Sequence, residues 1–271
     1  MPELPEVETF ARQLKPALVG RTILSADQRW NRTLAHTLAA PSPKKFKELI
    51  VGQKIVDVGR RAKYLNIQLK DFNLLIHLRM SGDLLLRNST IRPAKHDRLI
   101  LKLSGNTSLA FNDTRKFGRV WLTANIEEVL GKLGPEPFSR EFTPRWLFTA
   151  LHGKKRQLKP LLLDQTFLAG LGNIYTDEAL HIAKLHPVAV SDSVTAKQAE
   201  ALHEAIRKVL RSGIRSNGAS IDWAYRGGQF QNYFRVYDRA GQPCPVCGTE
   251  IQKIIVGQRG THVCPNCQTV R

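Results

Sequence analysis

The first half of the chain alternates apolar and polar residues with the period of a β-strand. Leu65, Ile67 and Leu69 alternate with polar neighbours, and side chains two positions apart lie on one face of a strand. Similar runs occur at 74–80, 98–103, 108–112 and 119–122, with turn residues at 71, 81–83 and 104–106. Many short strands in succession predict a β-sandwich or a barrel-like domain.

A helix is predicted ahead of these strands. Proline is favoured in the first turn of a helix and rare in its interior, so we expect this helix to begin near Pro5 and to end before Pro16. Four apolar residues in this segment recur at the spacing of one helix face: Val7, Phe10, Ala11 and Leu14.

The pattern changes at the Gly/Pro-rich segment 131–137, which is a candidate domain boundary. Beyond it helical spacing dominates, most clearly at 199–210, where a capping box of Thr195 and Gln198 precedes the apolar residues. Asn217-Gly218 is a suitable end for this helix. We expect the polar segment 212–226, which leads into Gly227-Gly228, to be a mobile loop.

Four cysteines form two pairs, Cys244/Cys247 and Cys264/Cys267, each with two residues between its members. A doubled CxxC motif at this spacing is typical of four thiolates that hold one structural zinc ion. Two disulfides would suit a small secreted domain, but no signal-peptide pattern is present. A redox CxxC would need only one motif. We therefore predict one structural Zn²⁺ in a terminal β-hairpin.

The charge balance indicates a polyanionic partner. The sequence has 41 Lys and Arg residues against 23 Asp and Glu, a formal net charge of +18. Nucleic acid and anionic membranes both attract such a surface, but no apolar run approaches the ~20 residues of a membrane span. Because 42% of the 271 residues are hydrophobic, a folded nucleic-acid-binding protein is favoured over a histone-like bulk binder.

The N-terminal motif PELPEVE, residues 2–8, resembles the start of the formamidopyrimidine-DNA glycosylase family, bacterial repair enzymes that remove 8-oxoguanine. The resemblance covers the whole chain, because further family-like motifs follow in order. They are RRAKYL at 60–65, HLRMSG at 77–82, KHD at 95–97, DTRKFG at 113–118, GLGNIY at 170–175 and the cysteine pairs.

This resemblance implies a bifunctional DNA glycosylase/AP lyase. Such an enzyme excises 8-oxoguanine and formamidopyrimidines from duplex DNA through a Schiff base on its N-terminal proline, then nicks the strand by β,δ-elimination. We expect an α+β fold of two domains, with an antiparallel β-sandwich at 1–134. A helical helix–two-turn–helix domain at 135–237 and a zinc finger at 238–271 complete it. Damaged duplex DNA is expected to bind between the domains of a monomer that is cytoplasmic in a bacterium and associated with the nucleoid.

The resemblance also assigns the chemistry. Pro2 matches the family's nucleophile once Met1 is removed, and a free α-amine, with a pKa of about 8, is uncharged more often than a lysine at neutral pH. On its own Pro2 would be read as a rigid start of the chain. Glu3 matches the general acid.

Further acids and a lysine are implied as supporting groups. Glu6 and Glu178 resemble supporting acids, although a favourable charge in the first turn of a helix also explains Glu6. Lys63 is implied to contact phosphate near the lesion, although a solvated basic edge is the default interpretation of its cluster. Ala62 stands where the family usually has glycine.

Three residues match a set that fills the hole left by a flipped base: Met80, Arg115 and Phe117. Taken alone, Met80 and Phe117 would be assigned to the core. His96, Lys155 and Asn173 match DNA contacts, the last of them next to Gly170 and Gly172 and near Lys159. Arg259 matches the zinc-finger arginine that binds phosphate and favours the second elimination, although it is also one surface cation among many.

Two alternatives stay open at this stage. An endonuclease VIII-like enzyme for oxidised pyrimidines belongs to the same class, but PELPEVE and the long segment 212–228 favour the purine enzyme. The other alternative is a non-catalytic zinc protein that binds DNA.

Overall fold

The computed structural model describes residues 1–220 and 227–269. It divides into two compact units, which we call unit 1 and unit 2. Unit 1 comprises Met1–Lys132 with Ser220–Gly228, and unit 2 comprises Leu133–Ala219 with Gln229–Arg271. Within the described residues, no helix combines the length and the apolar character that crossing a membrane requires.

Unit 1 contains two four-stranded antiparallel sheets, and a single hydrophobic core includes residues of both. The strand orders are β1-β6-β7-β5 and β2-β3-β4-β8. This arrangement confirms the predicted α+β class and sandwich. Its elements are α1 (Leu4–Leu18), β1 (Ile23–Gln28), α2 (Pro43–Ile50), β2 (Ile55–Arg61), β3 (Tyr64–Leu69), β4 (Asn73–His77), β5 (Gly82–Asn88), β6 (Asp97–Leu103), β7 (Thr107–Asp113), β8 (Arg119–Thr123) and α3 (Glu127–Leu130).

The first helix is longer than predicted. It begins at Leu4 as expected, but it runs through Pro16 to Leu18. Proline removes one backbone N–H donor and disturbs the turn before it. Burial compensates, because Leu14 and Leu18, on either side of Pro16, are 3% and 0% exposed in the core.

One predicted strand is shorter than its apolar run. The run at 74–80 was expected to be extended throughout, but β4 ends at His77 because Arg79 has the left-handed φ of 55°. Gly82 was predicted to lie in a turn, yet it begins β5. Four further elements were not predicted from the sequence pattern. They are β1, α2, β2 and β5, at 23–28, 43–50, 55–61 and 82–88.

Unit 2 is helical up to a terminal hairpin. Its elements are α4 (Pro144–His152), α5 (Leu158–Leu163), α6 (Asn173–Ile182), α7 (Ala196–Arg215), β9 (Gln252–Val256) and β10 (Arg259–Val263). The last two strands pair as an antiparallel hairpin, in which Val256 lies opposite Arg259. The cysteines lie outside these strands, and Cys264 directly follows β10.

Helix α7 begins and ends at residues that the sequence indicates. Thr195 and Gln198 form the predicted capping box. At the other end Gly218 N–H donates to Gly213 O at 2.7 Å and Asn217 N–H to Ile214 O at 3.2 Å. With Asn217 at φ 56°, these two bonds form a Schellman motif.

The loop prediction at 212–226 is wrong at its start, because residues 212–215 form the last turn of α7. The helix extends this far because Gly213, in its last turn, is buried against a neighbouring helix. A Cβ atom there would lie 2.5 Å from the ring of Tyr175, so the glycine allows α6 and α7 to pack closely. Residues 216–220 follow the helix as turn and irregular structure, and residues 221–226 of the predicted loop lie outside the described residues.

Candidate active site and nucleic-acid interface

The predicted nucleophile and general acid lie at the start of α1. Pro2 is buried, and the side chains of Glu3 and Glu6 are in residues that are 3% and 2% exposed. Glu6 Oε2 accepts the backbone N–H of Glu3 at 2.7 Å, and the two glutamates form a capping box. This reciprocal pairing fixes the backbone at Glu3, and with it the direction in which Pro2 extends.

Lys63 lies in the turn between β2 and β3 and is 4% exposed, so it is not a solvated basic edge. Ala62 precedes it with φ 52°, the left-handed region that costs a non-glycine residue roughly 1–2 kcal/mol. The turn therefore requires the conformation that glycine adopts most easily. This explains in physical terms why a glycine is expected at position 62.

His77, at the end of β4, is a neutral residue in a positive environment. Burial lowers its pKa to about 3, and the charges of Arg79 and Lys63 contribute to the shift. Its Nδ1 accepts the backbone N–H of Arg79 at 3.0 Å, so the ring carries its proton on Nε2. The cationic groups around His77 indicate a place where an anion is stabilised.

Met80, Arg115 and Phe117 form what we call the exposed platform of unit 1. Met80 is 37% exposed and Phe117 is 53% exposed. The alternative assignment of these two residues to the hydrophobic core is therefore wrong. Arg115 Nη1 lies 3.8 Å from Met80 Sδ. The structure therefore brings two of the three residues into contact on an accessible surface.

A buried aspartate supports the exposed platform. Asp113 is 1% exposed, and its Oδ1 accepts the hydroxyl of Ser81 and, at 3.2 Å, the N–H of Arg115. Its Oδ2 accepts the N–H of Gly118 at 2.8 Å. One carboxylate thus holds the segments on which all three platform residues lie.

His96 stands next to the same anchor. Its Nδ1 lies 3.2 Å from Arg98 Nη2, and Arg98 Nε donates to Asp113 O at 2.7 Å. The backbone N–H of Asp113 in turn donates to His96 O at 2.9 Å. His96 is half-buried, so part of its ring stays accessible.

In unit 2 the carbonyl oxygen of Gly260 accepts hydrogen bonds from the predicted site residue Asn173 and from Lys159. Asn173, the first residue of α6, donates to it through Nδ2 at 3.0 Å, and Lys159 donates through Nζ at 3.0 Å. Arg259, the exposed neighbour of Gly260, opens β10 at the tip of the hairpin. The start of α6 therefore holds the backbone beside Arg259.

Lys155 and Lys159 have opposite environments. Lys155 is exposed before α5. Lys159 is 0% exposed and its Nζ lies 2.6 Å from Asp177 Oδ1. Asp177 also accepts the N–H of His262 at 2.9 Å. Lys159 is thus a structural link to the hairpin, whereas Lys155 is accessible to a ligand.

Glu178 is engaged by backbone. It is 1% exposed, and its oxygens accept the N–H groups of Arg235, Val236 and Tyr237 at 2.9–3.0 Å. Burial raises the pKa of Glu178, while the three N–H donors oppose that shift. The arrangement fixes the segment that leads to the first cysteine pair.

The four cysteines are grouped as a metal site requires. All four Sγ atoms lie within 4.8 Å of one another, and the Sγ distances include 3.4 Å for Cys247–Cys264 and 3.9 Å for Cys244–Cys267. Four sulfurs at about 2.3 Å from a tetrahedral zinc ion would be about 3.8 Å apart. The donor set therefore fits one structural Zn²⁺.

Family comparisons match three successive parts of the chain. Residues 1–120 match the formamidopyrimidine-DNA glycosylase N-terminal domain, and residues 133–224 match the H2TH domain of the same family. Residues 241–270 match a zinc finger found in FPG and IleRS. The chain belongs to the formamidopyrimidine-DNA glycosylase family.

Relatives in this family match over the full length. The formamidopyrimidine-DNA glycosylase of Chloroflexus aurantiacus is 45% identical, over 99% of this chain and 98% of the relative. That of Pelotomaculum thermopropionicum is 42% identical over 100% of both. Among solved structures, a mutant Lactococcus lactis FPG in complex with Fapy-dG-containing DNA is 38% identical, with a TM-score of 0.92 over 99% of this chain and 100% of that one.

Three polar residues that the structure places beside the predicted site residues were not singled out from the sequence. Asp113 and Ser81 had been quoted only as parts of motifs, and His77 had no role. Buried hydrogen-bonding residues carry no signal of their own in one sequence, because their partners lie up to 32 positions away, as Ser81 and Asp113 do. A polar residue inside a run of strand character is the one signal that points to Asp113.

Proposed function

We propose that this protein is a bifunctional DNA glycosylase/AP lyase that excises oxidised purines from duplex DNA. The observation that carries the proposal is the match to the formamidopyrimidine-DNA glycosylase family across all three parts of the chain. Solved relatives were captured with DNA that contains Fapy-dG or a carbocyclic 8-oxoguanine. The strongly basic composition agrees with a nucleic-acid partner.

Pro2 is the proposed nucleophile. With Met1 removed, its secondary amine attacks C1′ of the damaged nucleotide, the bond from C1′ to the base breaks, and the base leaves with the bonding electrons and a proton. The C1′–O4′ bond then breaks as the nitrogen lone pair forms the C=N bond and O4′ takes up a proton. The iminium ion that results acidifies the C2′ hydrogens. Loss of one of them expels the 3′ phosphate, and a second elimination expels the 5′ phosphate.

Glu3 is the proposed general acid beside this amine. A carboxyl group there can protonate the sugar oxygen and move protons during the eliminations. The proposal is supported by the burial of Glu3 and by the capping box with Glu6. Glu6 then acts through the backbone of Glu3, as a positioning residue.

Lys63 makes the surroundings of the reacting sugar positive, and the neutral His77 adds a hydrogen-bond donor. We assign Lys63 to the phosphate near the lesion. Lys63 is buried, and salt weakens the attraction of a buried charge for a phosphate less than that of an exposed one. His77 stays neutral at physiological pH, since its pKa is about 3. Its Nε2–H is therefore a donor and not a base.

The exposed platform is assigned to the duplex. An enzyme that acts at C1′ must turn the nucleotide out of the stack at a cost of a few kcal/mol. Met80 and Phe117 present apolar surface that can enter the stack, and Arg115 can face the orphaned base. The exposure of both apolar side chains supports this role.

Most of the remaining phosphate contacts are assigned to unit 2. We assign Asn173, Lys155 and Arg259 to the DNA backbone, and His96 of unit 1 likewise. Glu178 is assigned a structural role, because its carboxylate already holds three backbone donors. We propose 1–134, 135–237 and 238–271 as the functional domains.

We also propose that the protein lies in the bacterial cytoplasm, at the nucleoid, because it binds DNA.

Excision from a panel of duplexes tests the proposal. Matched duplexes should carry 8-oxoguanine, a formamidopyrimidine, an oxidised pyrimidine or no lesion. We expect base release and nicking on the first two, with the oxidised pyrimidine processed at least tenfold more slowly. Preference for the pyrimidine would indicate the endonuclease VIII-like alternative, and binding without base release on any duplex would indicate a non-catalytic protein.

A further inference from the structure

His181 makes a hydrogen bond that reaches a cysteine of the zinc site from outside the finger. It lies in the last turn of α6 and is 2% exposed. Its Nε2 lies 3.3 Å from Cys244 Sγ. The N–H groups of Val246 and Cys267 also approach the sulfurs, but they belong to the cysteine turns themselves.

The direction of this bond follows from the other side of the ring. His181 Nδ1 is 3.3 Å from Arg235 Nε, and a guanidinium group can only donate. Nδ1 is therefore the acceptor, and the neutral imidazole carries its proton on Nε2. That proton points to Cys244, so the ring donates to the sulfur.

Arg235 is itself held in place by the same helix. Its backbone N–H donates to both carboxylate oxygens of Glu178 at 3.0 Å. Glu178 and His181 are three residues apart on α6 and so lie on one face. Helix α6 thus fixes Arg235 through Glu178, Arg235 fixes the ring of His181, and the ring reaches Cys244.

We propose that His181 is a positioning residue of the zinc site, which donates a hydrogen bond to the Cys244 thiolate and ties the metal to α6. A thiolate that accepts such a bond is less basic. It is therefore protonated less readily, and protonation is what displaces a thiolate from the metal. Helix α6 begins at Asn173, which holds Gly260 beside Arg259. Helix α6 would therefore be tied to the terminal segment at two places, at Gly260 through Asn173 and at the metal through His181.

Zinc release from the purified holoprotein tests the inference without DNA, so its outcome does not depend on the proposed function. Zinc-loaded protein is mixed with an excess of a chelator, and the released metal is followed with a colorimetric indicator. His181→Phe keeps an aromatic ring and removes the donor. We expect it to release zinc at least about tenfold faster than the unmodified protein.

Two further variants separate the hydrogen bond from packing. His181→Gln restores an N–H near the position of Nε2, and we expect release within about threefold of the unmodified rate. His203→Phe changes another histidine of unit 2, which bonds to Phe142 O and not to a cysteine, and it should leave the rate unchanged. Equal acceleration in His203→Phe and His181→Phe would overturn the inference, as would an unmodified rate in folded His181→Phe.

Cobalt substitution reports on the sulfur itself. Removing a hydrogen bond makes a thiolate a stronger electron donor, so the thiolate-to-cobalt charge-transfer band should move to lower energy in His181→Phe and return in His181→Gln. An identical spectrum in all three proteins would show that the bond does not reach the metal and would contradict the inference.

Discussion

Asp113 shows how much of the exposed platform depends on one buried side chain. Its carboxylate accepts from Ser81, Arg115 and Gly118. Asp113→Asn replaces one acceptor oxygen by an N–H₂ group and leaves at least one of these donors without a partner. We expect the free energy of unfolding to fall by about 2 kcal/mol in urea titration.

Base excision should fall further in Asp113→Asn than stability alone explains, because Arg115 and Phe117 lose their support. Asp71→Asn is the matched control, since Asp71 is exposed and its carboxylate accepts from Gln53 Nε2 at 2.9 Å. Equal losses of stability in the two variants would show that the carboxylate of Asp113 is not the anchor of the platform.

Arg259 separates a simple phosphate contact from a residue that organises the reaction. If Arg259 is a simple phosphate contact, its removal should reduce the slope of log K against log [salt] by about one and weaken binding to all DNA sequences alike. We expect Arg259→Ala also to slow strand nicking in single-turnover assays at saturating protein. Lys253→Ala, on the paired strand of the same hairpin, should change binding only. Unchanged nicking in Arg259→Ala would leave Arg259 as a phosphate contact.

Among the elements, the long amphipathic ones could be predicted from the sequence and the short ones could not. The capping box and apolar face of α7, and the alternation of β3, are local signals that the structure confirms. Strand β5 has three consecutive leucines between polar ends, and its first residue, Gly82, resembles a turn. Its pairing with β7 decides its structure, and pairing partners are not visible in a single sequence.

The same limit applies to the site. PELPEVE and the paired cysteines could be identified because their chemistry lies in neighbouring residues. The links from Glu178 to 235–237 and from Asn173 to Gly260 join positions 57–59 and 87 residues apart. Such contacts follow from tertiary packing, so only the structure shows that Glu178 holds backbone.

The packing of α6 against α7 gives a test at the element scale. Alanine usually stabilises a helix over glycine by about 1 kcal/mol, but a Cβ atom at Gly213 would meet the ring of Tyr175 at 2.5 Å. We expect Gly213→Ala to lower the free energy of unfolding by about 1–2 kcal/mol, measured by urea titration. Gly153→Ala is the control, because the nearest atom to its Cβ is at 3.6 Å. A stabilised Gly213→Ala would contradict the close packing.

For the whole molecule, the zinc site should stabilise unit 2 and leave unit 1 intact. The hydrophobic core of unit 1 contains residues of both sheets and of α1, whereas the core around the cysteines is small: Val236, Cys244, Ile251 and Cys264. A metal site commonly replaces the missing core in such a segment.

Cys244→Ala should therefore increase hydrogen exchange at 235–268 and reduce affinity for duplex DNA, measured by fluorescence anisotropy. Exchange in β3 and β4 should stay at the level of the unmodified protein. Faster exchange in β3 and β4, to the same degree as in the hairpin, would show that zinc is required for the folding of both units.

The central claim is that the N-terminal amine of Pro2 carries out the chemistry. Borohydride reduction during the reaction with 8-oxoguanine duplex should trap a covalent protein–DNA complex, and mass spectrometry should identify the modified peptide. We expect a chain without Met1 that carries the adduct on Pro2. We also expect Pro2→Gly to be trapped more slowly than the unmodified protein. An adduct on Lys63 or another lysine, together with a fully active Pro2→Gly variant, would contradict it.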